Sequence, residues 1–225
     1  MLADRRAVHI REVLRSRVGD RLAVGVMDGA VGEGEVVAVG SRDVVIECRL
    51  ERVPPAPSVD LILALPRPKV MRRLWAPLAS LGVGRITVVN AAKVEASYFA
   101  THWLLPEHRR PLLIEGLEQS GDTHLPSVEI ERRFRPFVED RLPERYAGWS
   151  RLLLHPDACL RLIEVALPPG GRAVIAIGPE GGWSAYERER FAACGFDAVR
   201  LGPRVLRTDT ACISALSIAN EKLAR

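Results

Sequence analysis

Residues 53–58 read Val-Pro-Pro-Ala-Pro-Ser, three prolines within four positions. Proline lacks an amide proton and holds φ near −65°, so neither a helix interior nor a central strand can run through such a segment. The chain is therefore expected to break here, and its texture differs on the two sides. Before the break it reads as short strands at residues 21–27, 34–39 and 44–49, separated by Asp28-Gly29 and Ser41-Arg42-Asp43 turns. That spacing predicts a small barrel or sandwich. Ahead of it, residues 8–18 read as a short helix with Val13 and Leu14 facing in and Arg11, Arg15 and Arg17 facing out.

After the break, strands and helices alternate. Strands are expected at 61–65, 85–89, 127–131, 152–154, 173–177 and 198–201, and helices at 69–81 (despite Pro77), 104–119, after Ser184, and 211–223. Short apolar strands set between helices predict a parallel α/β sheet covered on both faces. The expected domains are 1–56 and 57–225. With 225 residues, 48% of them hydrophobic, the chain can bury a sizeable core. No run of 18 apolar residues predicts a membrane span, and Met-Leu-Ala-Asp-Arg-Arg at the start is not a signal peptide, so a cytoplasmic location is expected. Cys48, Cys159, Cys194 and Cys212 are scattered without a Cys-x-x-Cys pair, which speaks against a metal site and a disulfide framework.

Charge is informative in its layout. Lys and Arg number 32 against 28 acids, a net of +4. Residues 61–94 contain no acid, yet hold Arg67, Lys69, Arg72, Arg73, Arg85 and Lys93. An uncompensated basic stretch points to a polyanion; the plainer alternative is a solvated face whose acids lie elsewhere in space.

Two loops carry the chemistry. Ile177-Gly178-Pro179-Glu180-Gly181-Gly182-Trp183-Ser184 leaves an apolar strand and enters a Ser184-x-x-Glu187 capping box. A strand, a glycine-rich turn and a helix start form a ligand-binding geometry at the carboxyl edge of an α/β sheet. The spacing is neither the dinucleotide fingerprint nor a P-loop, which speaks against a generic nucleotide-binding protein. The second loop, Leu201-Gly202-Pro203-Arg204-Val205-Leu206-Arg207-Thr208-Asp209-Thr210, leads to an apolar helix that Thr208 or Asp209 can cap. Arg204 and Arg207 beside that helix start form an electropositive place for an RNA phosphate. The competing structural role is an arginine pair bonded to Asp209.

Leu-Leu-His-Pro (residues 153–156), the glycine loop, and Leu-Gly-Pro-Arg-Val-Leu-Arg-Thr-Asp-Thr-Ala (201–211) occur in this order. Together they closely resemble the family of 16S ribosomal RNA uridine N3-methyltransferases, in the SPOUT superfamily of S-adenosylmethionine-dependent enzymes. His9-Ile10-x-x-Val13-Leu14-Arg15 with Gly19-Asp20, Leu81-Gly82-Val83 with Ile86, and Glu118-Gln119-Ser120-Gly121 are similar to further family segments, so the resemblance covers nearly the whole chain. Two departures stand out. Leu-Pro-Arg-Pro-Lys-Val-Met-Arg-Arg replaces a Gly-Asp-Lys-type stretch, and Asp209 stands where the family has Glu.

The resemblance implies a PUA-like RNA-binding β-barrel followed by a trefoil-knotted α/β domain that forms a homodimer and binds S-adenosylmethionine in the knot. It implies cofactor contacts, mostly through backbone groups, at Leu154, His155, Ile177, Gly178, Gly182, Leu201, Gly202, Val205 and Leu206. His155 is read as a loop histidine that stacks or bonds backbone, rather than as a base. Methylation of uracil N3 is an in-line displacement for which positioning and charge control supply most of the rate. N3 must lose its proton and leave base pairing. Arg207 is the leading candidate to stabilise the uracil anion, with Thr208 and Asp209 orienting the base. RNA binding is expected at Arg5, Arg6, His9, Arg11 and Arg15 in the first domain, at Arg67, Lys69, Arg72 and Arg73 in the second, and at Arg204. The expected partner is 16S ribosomal RNA in the small ribosomal subunit, with neither membrane nor metal. Two other readings remain open: a non-catalytic RNA-binding or assembly protein, which would not bind the cofactor, and a SPOUT enzyme acting on another RNA position.

Overall fold

The computed structural model describes residues 1–224, so the final residue of the expected second domain lies outside the described residues. The chain forms two compact units. The first comprises Met1–Pro55 with Gly121–His124, the second residues 56–120 and 125 onward.

In the first unit β1 (Arg21–Gly25), β2 (Val31–Val39) and β3 (Val44–Arg52) form an antiparallel sheet in the order β1-β2-β3. Leu2 adds an isolated antiparallel bridge to Val44. β2 begins three residues before the expected start because Gly32 and Gly34, poor strand formers by propensity, nevertheless pair with β3. The helical segment departs from expectation. α1 (Arg5–Val8) is capped by Asp4 and continues as a π-helical turn, His9–Val13. It buries Ala7 and Ile10 on Val36 and Val44, while Val13 and Leu14 are 65% and 50% exposed. The wider π turn rotates the expected inward pair into solvent. It also folds Arg11 onto the Ser41 carbonyl and Glu12, leaving that side chain 19% exposed. Gly121–His124 joins this unit through Asp28 N–H donating to the Thr123 carbonyl (2.8 Å) and Thr123 Oγ1 donating to Gly29 O (2.7 Å).

The second unit holds seven parallel strands: β4 (Val59–Ala64), β5 (Val83–Val89), β6 (Ser127–Glu131), β7 (Ser150–Leu154), β8 (Leu160–Arg161), β9 (Ala173–Ile177) and β10 (Asp197–Arg200). Their spatial order is β6-β5-β4-β9-β7-β10-β8. Alternate residues of the same apolar run serve opposite faces. Leu61, Leu63 and Ile175 pack with α2 (Pro68–Ser80), α3 (Pro106–Ser120) and α7 (Thr208–Leu223). Ile62, Ala64, Val174 and Ala176 pack against Phe137, Tyr146, Phe191 and Phe196. That second layer comprises α6 (Ala185–Ala193) and a stretch the sequence reading left out, α4 (Phe134–Pro136), a π turn (Phe137–Arg141) and α5 (Leu142–Arg145). Burial on both faces is why these strands read as continuous hydrophobic runs. α7 starts earlier than expected: its N-cap is Arg207 and Thr208 is already its first residue, so neither Thr208 nor Asp209 caps it. No helix of the described residues is long and apolar enough to cross a membrane.

Candidate active site

Four loops meet at the carboxyl edge of the sheet, following β5, β7, β9 and β10. They enclose a cavity of about 540 Å³, at the edge where open parallel sheets bind ligands. Leu154, His155, Ile177, Gly178, Gly182, Leu201, Gly202, Val205 and Leu206 all line it, as do Arg204, Arg207 and Thr208. Asp209 is not among the lining residues. Thr208 is buried, Arg204 and Arg207 are exposed, and Val205 is 80% exposed.

The glycine loop is held rigidly from both ends. Ser184 caps α6 and exchanges bonds with Glu187 as the capping box requires. Glu187, only 2% exposed, does more than cap: Oε2 accepts from Ser184 N–H and Oγ (both 2.8 Å), and Oε1 accepts from Ala92 N–H (2.6 Å). The loop is thereby fastened to the turn after β5. Glu180 Oε1 accepts from Arg67 N–H at the start of α2 (3.1 Å), and Lys93 Nζ donates to Gly181 O (2.7 Å). Trp183 packs on Phe191 and Phe134, with its Nε1 buried and without a hydrogen-bond partner among the described residues.

His155 is neutral. Burial first, then the charges of Arg188 and Lys93, hold its pKa below the ordinary 6.5, against the opposing pull of Asp157. Asp157 N–H donates to His155 Nδ1 (3.2 Å), which places the ring proton on Nε2. The approach of Asp157 Oδ2 to Nδ1 (3.9 Å) is therefore not an ion pair.

Two of the six cations in the stretch 61–94 meet acids in space. Arg73 Nη2 pairs with Asp209 Oδ2 (2.9 Å), and Arg85 pairs with Glu129 and lies 3.8 Å from Asp60. Arg72 lies over the Trp103 ring (5.0 Å). Arg67 and Lys69 are exposed at the start of α2. In the first unit Arg5, Arg6, His9 and Arg15 are exposed, Arg6 paired with Asp4 (2.8 Å). Arg11 is the exception, turned onto Ser41, so the outward, RNA-facing placement expected for it is not found. The sequence reading missed Lys93, Asp157, Glu180, Trp183 and Arg200 as lining residues. Lys93 carried a usable signal, since it follows a parallel strand at the sheet's carboxyl edge.

Fold and pocket together define an α/β RNA methyltransferase domain: residues 54–220 match the family model described as an RNA methyltransferase domain. The chain is 33% identical over 226 residues to the ribosomal RNA small subunit methyltransferase E of Treponema pallidum, covering 96% of this chain and 82% of that one. It is 29% identical to the protein of the same name from Mycobacterium bovis, covering 92% and 80%. The chain belongs to the ribosomal RNA small subunit methyltransferase E family of RNA methyltransferases. Among solved structures, a Legionella pneumophila methyltransferase in complex with the cofactor SAM superimposes with a TM-score of 0.71 at 25% identity, covering 96% of this chain and 88% of that one. The Neisseria gonorrhoeae methyltransferase E, solved with S-adenosyl methionine, shares the fold with a TM-score of 0.75 at 22% identity, over 96% and 88% of the two chains.

Proposed function

We propose that this protein transfers a methyl group from S-adenosylmethionine to N3 of a specific uridine in 16S ribosomal RNA, within the small ribosomal subunit. The observation that carries the reading is the four-loop cavity with Arg207 at its wall, in a chain of this family. The cavity's volume lies within the range of about 300–1,000 Å³ typical of small-molecule sites. At Gly178 a Cβ would press on the Trp183 ring at 3.2 Å, so the glycine lets the tryptophan close the floor of the loop. Leu154, His155, Ile177, Gly178, Gly182, Leu201, Gly202, Val205 and Leu206 would hold the cofactor. Bound there, it supplies an electrophilic methyl group.

The chain's own contribution is placement and charge. Arg207, at the N-cap of α7, adds its guanidinium to the positive end of that helix, and this pair favours an N3 anion over neutral uracil. Thr208 and Asp209 set the first turn that carries Arg207: Thr208 is buried at the cavity wall, and Asp209, outside the lining, is held by Arg73 and by Thr210 N–H (3.0 Å). Arg204, Arg67, Lys69 and Arg72 supply phosphate contacts on this unit. Arg5, Arg6, His9 and Arg15 supply them on the first, which we assign as the PUA-like RNA-binding barrel domain.

A trefoil-knotted C-terminal region is supported by β9, a late strand inserted between β4 and β7. A homodimer is supported by the exposed apolar side chains Val205 and Ile213. A ribosomal RNA substrate supports a cytoplasmic location. The deciding experiment is methyl transfer from labelled S-adenosylmethionine to 30S subunits, followed by mass spectrometry of the nucleosides. N3-methyluridine in 16S RNA is the expected product. Cofactor binding without transfer would mean a different RNA position, and absence of both would leave a non-catalytic RNA-binding protein.

A further inference from the structure

Lys93 is the cation of the cavity wall with an unusual setting. Its aliphatic stem lies across Gly181, where a Cβ would sit 2.9 Å from Lys93 Cδ and 3.2 Å from its Cβ. Its ammonium reaches the Gly181 carbonyl (2.7 Å). An ammonium has three donors. Among the described residues, no carboxylate lies within ion-pairing distance of Lys93, while the cavity's own acids are spent or turned outward. Glu180 is engaged by the Arg67 amide, and Asp157 has a side chain that is 88% exposed. The charge is held in place by its stem and presents its remaining donors without an anion to receive them. It also faces the His155 loop, whose imidazole it helps keep uncharged, so neither neighbour on that wall offers it a negative partner.

We propose that Lys93 binds the carboxylate of the amino-acid end of S-adenosylmethionine, an assignment that rests on the cofactor reading above. The glycine at position 181 then has a specific reason. Any side chain there displaces the lysine stem from the wall and moves the ammonium away from the ligand.

The test compares two ligands that share the adenosine thioether: S-adenosylhomocysteine, which carries the amino-acid end, and 5′-methylthioadenosine, which lacks it. Calorimetry of the wild type, Lys93→Met and Lys93→Arg is needed. Met keeps the stem across Gly181 and removes only the charge and its donors. The expected result is a loss of about ten- to a hundredfold in S-adenosylhomocysteine affinity for Lys93→Met, the scale of a hydrogen bond to a charged group. Methylthioadenosine affinity should stay within about twofold by the same reasoning, and Lys93→Arg should restore most of the loss. An equal loss for both ligands would overturn the proposal and make Lys93 a clamp on the glycine loop alone. No loss for either would overturn it as well. A wild-type protein that binds neither ligand would instead remove the cofactor reading, and this assignment with it.

Discussion

Arg73 Nη2 and Asp209 Oδ2 lie 2.9 Å apart across 136 positions of sequence, joining α2 to the first turn of α7. The arginine side chain is 61% exposed and the aspartate 24%. An acid in the first turn of a helix is favoured by the helix dipole whether or not a cation meets it. The pair therefore adds orientation more than stability. Two residues that the sequence reading put to separate uses, one on RNA and one on the base, are partners.

A double-mutant cycle on Arg73→Ala and Asp209→Ala should return a coupling of about 0.2–1 kcal/mol in thermal or urea unfolding, the range for exposed pairs. A coupling well above that would mean the pair is buried in solution.

Arg207→Ala should lower kcat for methyl transfer by about 10²–10³-fold, the usual cost of removing one donor from a developing anion. The dissociation constant for S-adenosylhomocysteine should hardly move. If turnover is preserved, the anion-stabilising role belongs to another group.

Glu187→Ala should destabilise the second unit by about 2–4 kcal/mol, because Ala92 and Ser184 N–H lose a buried acceptor and α6 loses its capping box. Cofactor affinity should fall with it, since the same carboxylate fastens the glycine loop. Urea titration and calorimetry read the two effects separately, and Glu187→Gln should recover part of both.

At Gly116 in α3, an added Cβ would land on the carbonyl oxygen of Ala76 in α2 and 3.0 Å from Ala79 Cβ. Backbone cannot swing aside as a flexible side chain can. Gly116→Ala should therefore cost about 1–3 kcal/mol or prevent folding, the overpacking penalty. Circular dichroism melts with an unchanged midpoint would refute the close approach of these helices.

His155 gives a signed pH effect. Its folded pKa is held below the ordinary 6.5, so the unfolded chain takes up the proton first as pH falls. This residue's contribution is complete above about pH 6.5 and is lost progressively below it. His155→Asn should flatten the decline in unfolding free energy between pH 6.5 and 5, measured by urea titration at each pH.

The parallel sheet was legible because Leu61–Leu65 and Ala173–Ile177 have no polar alternation, the mark of strands buried on both faces. The cavity was legible because its glycine loop and the 201–211 loop are local in sequence. Position of the acids was not. Asp209 meets Arg73, and Glu129 meets Arg85, only through sheet order, which short strands of similar composition do not declare. The first helix failed for a different reason: 3.6-residue periodicity puts Val13 and Leu14 inside, but a π turn at His9–Val13 resets the phase. Lys93 counted only as one cation of the basic stretch, because its contact with the Gly181 carbonyl leaves no trace in a charge pattern.

β9 lies at the middle of the sheet, between β4 and β7, yet begins at residue 173 of 225. During synthesis β4 and β7 have no common neighbour until β9 has been made. Nascent β4 must wait with one hydrogen-bonding edge open and β7 with both, since its neighbours β9 and β10 are made later, and closing the sheet depends on contacts of high sequence separation. Such contacts slow folding and leave strand edges open to wrong partners. Truncations that stop before Ala173 should therefore yield aggregating fragments, and the cavity, built on the loops after β9 and β10, cannot exist until both strands and the loop to Ala211 have been made.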